Sequence, residues 1–247
     1  MSNPDQNTAL VIGASSAIAQ AIILKLMASN SPLSVVAISR SPNCDIFNKQ
    51  NGPIRVLQSD YSEESIAKLC ELLWEEGVVF SRIFICNGIL HQEEIFPEKR
   101  LQDLRFESLS SVMHVNAFAP ILWLKHLSKF LRRTRGCVVT VFSARVGSID
   151  DNRAGGWYSY RASKAALNML LKTAAIECRR FSPSTRFLAF HPGTTDTELS
   201  KPFQKAVRPD SLFSPEFVAD RLLGVIENLP EEPALNFLDW EGKPVAW

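Results

Sequence analysis

Between residues 9 and 238, short apolar runs bounded by turn residues alternate with longer segments of helical period, and this alternation constrains the chain more than any other feature. It is the pattern of βα units wound around a parallel sheet. Strands are predicted over residues 9–12, 34–39, 54–58, 82–86, 136–142, 186–191 and 235–238. Most are apolar at successive positions rather than at every second one, as strands covered by helices on both faces require. Helices are predicted over residues 17–28, 63–76, 101–131, 158–180 and 215–228, the third broken near Asn116 and Pro120. The expected fold class is α/β, a Rossmann-type doubly wound parallel sheet of about seven strands with helices on both faces.

No repeat, low-complexity tract or long linker interrupts the series, so residues 1–247 are read as one domain. Residues 41–53 and 200–214 read as surface loops, the second long enough to be a mobile lid. With 27 basic and 26 acidic residues the formal charge is +1, which leaves no broad basic face for nucleic acid. Cys44, Cys70, Cys86, Cys137 and Cys178 are odd in number and lack a C-x-x-C pair, arguing against a disulfide framework or a zinc site. Cys86, Cys137 and Cys178 lie in apolar surroundings and are read as small core residues. The four histidines show no metal-ligand spacing. Pro4 and Asp5 stand where a secretory signal needs a basic segment, and the weakly charged stretch over residues 8–24 is too short to cross a bilayer. A cytoplasmic protein with a small polar or amphiphilic partner, and no membrane attachment, is expected.

Directly after the first strand, Gly13-Ala14-Ser15-Ser16-Ala17-Ile18-Ala19 forms a turn of small residues that feeds straight into a helix. Such a turn lets backbone N–H groups and the positive helix end approach a pyrophosphate. A tight strand-to-helix turn in any α/β protein accounts for the same residues. Arg40 ends the second strand where an adenosine ribose would lie, with no acidic residue there to accept from a 2′-hydroxyl. Its planar donors suit a 2′-phosphate, which favours NADP (NADPH) over NAD, although an ordinary solvated arginine fits the position too. Asp60, closing the third strand before Tyr61 and Ser62, can serve as a helix cap. Asn87-Gly88 closes the fourth strand, and Gly88 would let the backbone pass close to a ribose.

These positions resemble the short-chain dehydrogenase/reductase family, whose turn reads T-G-x-x-x-G-x-G. Gly13 matches it, while Ile12, Ala17 and Ala19 replace the threonine and the other two glycines. The family's N-N-A-G is represented by Cys86-Asn87-Gly88, and its P-G-x-x-x-T by Pro192-Gly193-Thr194-Thr195-Asp196-Thr197. The resemblance implies that Asp60 contacts the adenine ring, that Pro192, Gly193 and Thr195 meet the nicotinamide carboxamide and that Thr197 reaches the phosphates.

The sharpest signal is Tyr160-Arg161-Ala162-Ser163-Lys164-Ala165-Ala166-Leu167, similar to the family's Y-x-x-x-K followed by small residues. At i and i+4 the two side chains share a helix face, where the cation should lower the phenol from about 10 toward the working range. The resemblance makes Tyr160 the acid that protonates a substrate alkoxide, Lys164 its tuning partner and a holder of the cofactor ribose, and Asn116 the residue that interrupts a helix and holds a proton-relay water. An asparagine capping the second half of a broken helix fits Asn116 equally. The family's catalytic serine stands three residues before Gly147, which here is Ala144. Ser143 and Ser148 are the hydroxyls that could replace it, although strand alternation points Ser143 away from Ala144. The stretch from Gly147 to Lys164 is similar to the C-factor subgroup, named for a cell-to-cell signalling protein.

Two functions fit this reading. One is an NAD(P)H-dependent oxidoreductase of the carbonyl reductase or alcohol dehydrogenase type acting on a small carbonyl or alcohol substrate, with a homodimer or homotetramer implied by the resemblance. The other is a weak or inactive relative acting in signalling or as a dinucleotide-dependent interaction module.

Overall fold

Seven strands pair side by side in the order β3-β2-β1-β4-β5-β6-β9, every neighbour parallel. The computed structural model describes residues 8–29, 31, 33–41 and 54–247; Cys44 and most of the loop over residues 41–53 lie outside them. In chain order the elements are β1 (Thr8–Ile12), α1 (Ala17–Ala28), β2 (Ser34–Ser39), β3 (Ile54–Gln58), α2 (Glu63–Glu75) and β4 (Phe80–Ile85). There follow α3 (Phe106–Met113), α4 (Ala119–Leu131), β5 (Val138–Phe142), α5 (Tyr158–Cys178) and β6 (Arg186–His191). The two-residue strands β7 (Thr194–Thr195) and β8 (Leu212–Phe213) pair with each other, and α6 (Pro215–Glu227) and β9 (Leu235–Asp239) complete the fold.

Successive strand residues turn to opposite faces, and in the inner strands both faces are buried, whereas no residue of the edge strand β3 is fully buried. Leu10 and Ile12 of β1 join one apolar cluster with Trp123, Leu127 and Phe130 of α4 and Leu167 and Leu171 of α5. Ala9 and Val11 join the other, with Ile22 and Ile23 of α1 and Val218 and Leu222 of α6. Two-sided burial explains why the strands read as unbroken apolar runs. The strand order reverses between β1 and β4, and at that point the carboxyl ends of the strands part to leave a crevice.

The predicted helix over residues 101–131 divides. Asp103 turns its carboxylate back onto the backbone N–H groups of Lys99 and Arg100, closing a short 3₁₀ turn (Leu101–Asp103), so the α-helix starts only at Phe106. A π-helical turn (His114–Phe118) then carries Asn116. Pro120 does not break the chain: it sits in the first turn of α4, where its missing N–H has no helical partner to lose. The predicted loop over residues 200–214 carries two 3₁₀ turns, Lys201–Ala206 and Pro209–Ser211, as well as β8. Among the described residues no helix is long and apolar enough to cross a membrane. Cys137 and Cys178 are buried as expected, and so is Cys70, while Cys86 is only half-buried; burial pushes the Cys137 thiol up to about 12 and that of Cys178 to about 11.

Candidate active site

The first wall of the crevice is the turn between β1 and α1. Gly13 takes φ +82°, and its N–H and that of Ala14 both donate to the Ile38 carbonyl, at 2.9 and 3.0 Å. A Cβ on Gly13 would lie 2.8 Å from the Asn87 nitrogen, so the turn is pressed against the end of β4 and only glycine fits. Ser16 caps α1 by accepting from the Ala19 N–H. Ser15 is exposed, and Ala17 and Ile18 begin the helix, whose first-turn N–H groups have no intrahelical acceptor.

Arg40 lies exposed at the end of β2, next to β1, and its carbonyl accepts from Gln58 Nε2. Asp60 accepts from both the N–H and the hydroxyl of Ser62, at 2.9 and 2.7 Å. Those bonds hold its carboxyl below the usual range; the cap of α2 is Ser62, whose hydroxyl accepts from the Ser65 N–H, so Asp60 is not itself the helix cap foreseen for it and only braces the residue that is. Asn87 donates to the Val115 carbonyl at 2.8 Å, while its Oδ1 is buried without a partner. Gly88 lies beside Asn116 and Lys164: a Cβ there would stand in ordinary contact, 3.4 Å from Asn116 Oδ1 and 3.7 Å from Lys164 Nζ.

Asn116 is fully buried in the π-helical turn. It accepts from the Ile89 N–H and donates to the Ile89 carbonyl, both at 2.8 Å, and donates to Ser163 Oγ at 3.0 Å. The π turn thus turns Asn116 out of α3 and ties it to the chain after β4 and to α5. Lys164 is buried, and its ammonium donates to the Phe142 carbonyl at 2.8 Å, at the end of β5. Gly147 makes this approach possible, since a Cβ there would meet Lys164 Cβ at 2.7 Å.

Tyr160 and Lys164 lie one turn apart on α5, with Nζ 5.8 Å from the phenol ring centroid. The expected lowering of the phenol is not what the structure gives. Burial pushes Tyr160 up to about 12, and the same burial pushes Lys164 down to about 8. Desolvation is the cause of both shifts, because it disfavours the charged form of each group.

Ser143 and Ser148 are both committed elsewhere. Ser143 Oγ donates to Asn168 Oδ1 at 2.7 Å, eight residues and about 12 Å of helix axis beyond Tyr160. Ser148 Oγ donates to the Trp247 carbonyl and accepts from the Asp151 N–H. Ala144, half-buried in extended backbone, stands on the opposite side of the strand end from Ser143.

The far wall is the chain after β6. Gly193, at φ +73°, lies under the Phe213 ring, 2.7 Å from where its Cβ would be. Thr195 is buried, with its Oγ1 unpartnered, and Thr197 Oγ1 reaches the Thr195 carbonyl at 3.4 Å. His191, next to Pro192, is held down to about 4, by burial first and then by Arg145.

Three contributors were not visible in the sequence. Glu98, a buried carboxylate, accepts from the N–H and the hydroxyl of Ser159 in the first turn of α5. Its backbone carbonyl accepts from the Trp157 N–H. Arg161 binds the carbonyls of Gly155, Gly156 and Val146, pinning the loop before α5. Trp157, the residue before that helix, is left-handed at φ +54° and makes no side-chain cap. The only local hint was a helix opening on Trp-Tyr with none of the usual capping residues before it.

The residues present fit a dinucleotide. The Gly13 cradle leaves no room for a side chain, and two buried polar atoms, Asn87 Oδ1 and Thr195 Oγ1, have no protein partner. Among the described residues no group of three or more His, Cys, Asp or Glu side chains could hold a metal ion.

The family model described as short chain dehydrogenase matches residues 7–208. The 1-hydroxy-2-glutathionyl-2-methyl-3-butene dehydrogenase of Rhodococcus sp. (strain AD45) is 27% identical over 252 residues, covering 98% of this chain and 100% of that protein. C-signal of Myxococcus xanthus is 31% identical over 147 residues, covering 60% of this chain and 83% of the relative. Among solved structures, NADPH-bound carbonyl reductase from chicken fatty liver aligns with a TM-score of 0.84 at 23% identity, over 98% of this chain and 99% of that one. Matched over most of its length and folded in the same way, the chain belongs to the short-chain dehydrogenase family of oxidoreductases.

Proposed function

We propose that the protein is an NADP(H)-dependent carbonyl reductase or alcohol dehydrogenase, a single dinucleotide-binding domain in which Tyr160 exchanges the proton with substrate. The observation that carries this reading is the convergence of Tyr160, Lys164, Asn116 and Gly88 at the carboxyl ends of β4 and β5. When bound, the cofactor supplies a hydride to the carbonyl carbon of the substrate. Gly13 and the first turn of α1, with Ser15, Ser16, Ala17 and Ile18, hold its pyrophosphate. Arg40 takes the 2′-phosphate, and Asp60, Asn87 and Gly88 line the adenosine side. Pro192, Gly193, Thr195 and Thr197 line the nicotinamide side, where the free Thr195 hydroxyl suits a carboxamide.

A phenol held at about 12 is protonated at neutral pH and acts as an acid. Its O–H bond breaks as the proton passes to the alkoxide oxygen, and the phenolate left behind faces the Lys164 ammonium. With its own value near 8, Lys164 loses and regains a proton close to neutrality. Asn116 fixes Ser163 and the backbone at Ile89, and so holds the helix face that carries the pair. The direction favoured by a protonated Tyr160 is reduction. Apolar side chains left exposed on the π turn before α4 and on α5, Phe118, Met169 and Ile176, support a homodimer or homotetramer.

A specific observation also favours a weak or inactive enzyme that acts in signalling: Ala144 stands at the family's serine position while Ser143 and Ser148 bond elsewhere. Titrating NADPH and NADH into the protein by fluorescence, then following oxidation of the reduced cofactor against a carbonyl panel, separates the two. Tighter NADPH binding with turnover supports the reductase. Binding without turnover across a broad panel supports the signalling reading, and no binding overturns both.

A further inference from the structure

Beside Tyr160 stands an aromatic cluster that the catalytic reading leaves unused. The Trp157 ring meets Tyr160 edge-on at 6.2 Å and Phe203 at 5.1 Å, and Phe203 meets His91 at 5.8 Å. These rings come from three separated parts of the chain: the segment after β4, the residue before α5, and the 3₁₀ turn Lys201–Ala206. Core aromatics of this protein such as Phe80, Trp123 and Phe130 are at most 1% exposed. The four rings of this cluster are all only half-buried. Aromatic rings that converge on a reacting group without burying one another leave apolar surface for a ligand.

The cluster is also held in place at a conformational cost. Gly155, Gly156 and Trp157 are three consecutive left-handed residues, at φ +63°, +65° and +54°. For tryptophan that conformation is disfavoured, and it persists because its surroundings over-determine it. The Trp157 N–H donates to the Glu98 carbonyl, the Glu98 carboxylate grips Ser159, and Arg161 occupies the carbonyls of both glycines. His91 Nε2 donates to the Glu198 carbonyl at 3.0 Å, tying the segment that leads to Phe203 to the end of β4. The fold thus spends backbone strain to point one indole at the Tyr160 ring. No charged side chain belongs to the cluster.

We infer that Trp157 and Phe203, with His91, form a specificity wall that selects uncharged aryl ketones and aldehydes over alkyl ones. The inference rests on Tyr160 being the proton donor, since the wall is defined by its contact with that ring. An aryl group stacked there would set its carbonyl toward the phenol hydroxyl.

Acetophenone and cyclohexyl methyl ketone are matched probes, similar in size and differing in the flat ring. Their kcat/KM values with NADPH, and their binding by calorimetry in the presence of NADP, are measured for the wild type, Trp157→Leu and Phe203→Leu. NADPH affinity serves as the check that each variant is folded, and Phe203→Leu removes a ring of the wall without changing any residue of the strained segment before α5. Wild-type preference for the aryl ketone, falling about tenfold in either folded variant, is the expected result. An aryl-to-alkyl ratio near one in the wild type, or one unmoved by both substitutions, overturns the wall. Aryl-selective binding that depends on Trp157 without any turnover supports the wall while removing the reductase reading. Turnover without aryl selectivity does the reverse.

Discussion

The turn between β1 and α1 and the connection between β5 and α5 both depart from the pattern of the family, and the two departures differ in consequence. At the first, Ala17 and Ala19 stand where glycines are usual, yet the proposed pyrophosphate site relies on backbone N–H groups, a helix end and the close approach of Gly13 to the end of β4, and these are present. At the second, Ala144 stands where the family pattern has a serine, whose hydroxyl the proposed chemistry would use, and the nearby Ser143 and Ser148 bond elsewhere. A function delivered by the main chain survives a change of side chain. A function delivered by one oxygen atom is weakened when that atom is lost.

Restoring that oxygen sharpens the contrast most. Ala144 lies in extended backbone at the cap of a short 3₁₀ turn, a position that suits serine, so Ala144→Ser should fold without strain. The expected outcome is a gain in kcat for carbonyl reduction on the order of 10²-fold, with NADPH affinity unchanged, read by steady-state kinetics. If the rate is unmoved, Ala144 does not face the substrate and the difference between the two regions collapses.

Next comes the scaffold of the second region. Glu98→Ala leaves the Ser159 N–H and hydroxyl buried without their acceptor and should destabilise the fold by about 1–3 kcal/mol in urea unfolding. At the first region, Gly13→Ala forces a Cβ to 2.8 Å from the Asn87 nitrogen at φ +82° and should weaken NADPH binding about tenfold. Ala17→Gly, by contrast, should change that affinity less than about threefold, the difference a weaker helix start makes. If the two substitutions had equal effects, the turn would not be working through its backbone.

The smallest effect is in pH. Below about 8 Lys164 carries its proton, and above it the reservoir that recharges Tyr160 empties, while Tyr160 itself stays protonated until about 12. The reductive kcat should therefore be level at neutral pH and decline several-fold as pH rises through about 8. A rate that climbs across that range would mean that a phenolate, not a phenol, does the work.

Much of the frame was legible because it rests on local rules. The predicted bounds of β2, β3, β6 and α1 coincide with the observed ones; β2, β6 and α1 are largely apolar runs closed by turn residues or a serine cap, and β3 is a shorter mixed run between Pro53 and Ser59. The start of α3 was misplaced because one side chain, Asp103, takes backbone N–H groups that a helix would have used. Asn116 was legible as a break, and the break is a π turn. What could not be read was anything made across the fold. The contact of Glu98 with Ser159 spans 61 residues, and the left-handed Trp157 depends on it. The direction of the Tyr160 shift was misjudged for the same reason: the sequence shows the neighbouring cation but not the depth of burial.

The most direct test of the proposed chemistry is the rate of NADPH oxidation by Tyr160→Phe beside the wild type, at saturating cofactor and carbonyl substrate, with cofactor binding measured on the same samples. The expected result is retained NADPH binding with turnover reduced about 10²- to 10⁴-fold, because the phenylalanine keeps the ring and loses only the proton that is transferred. Equal turnover in the two proteins would contradict it, and would move the proton donor away from α5.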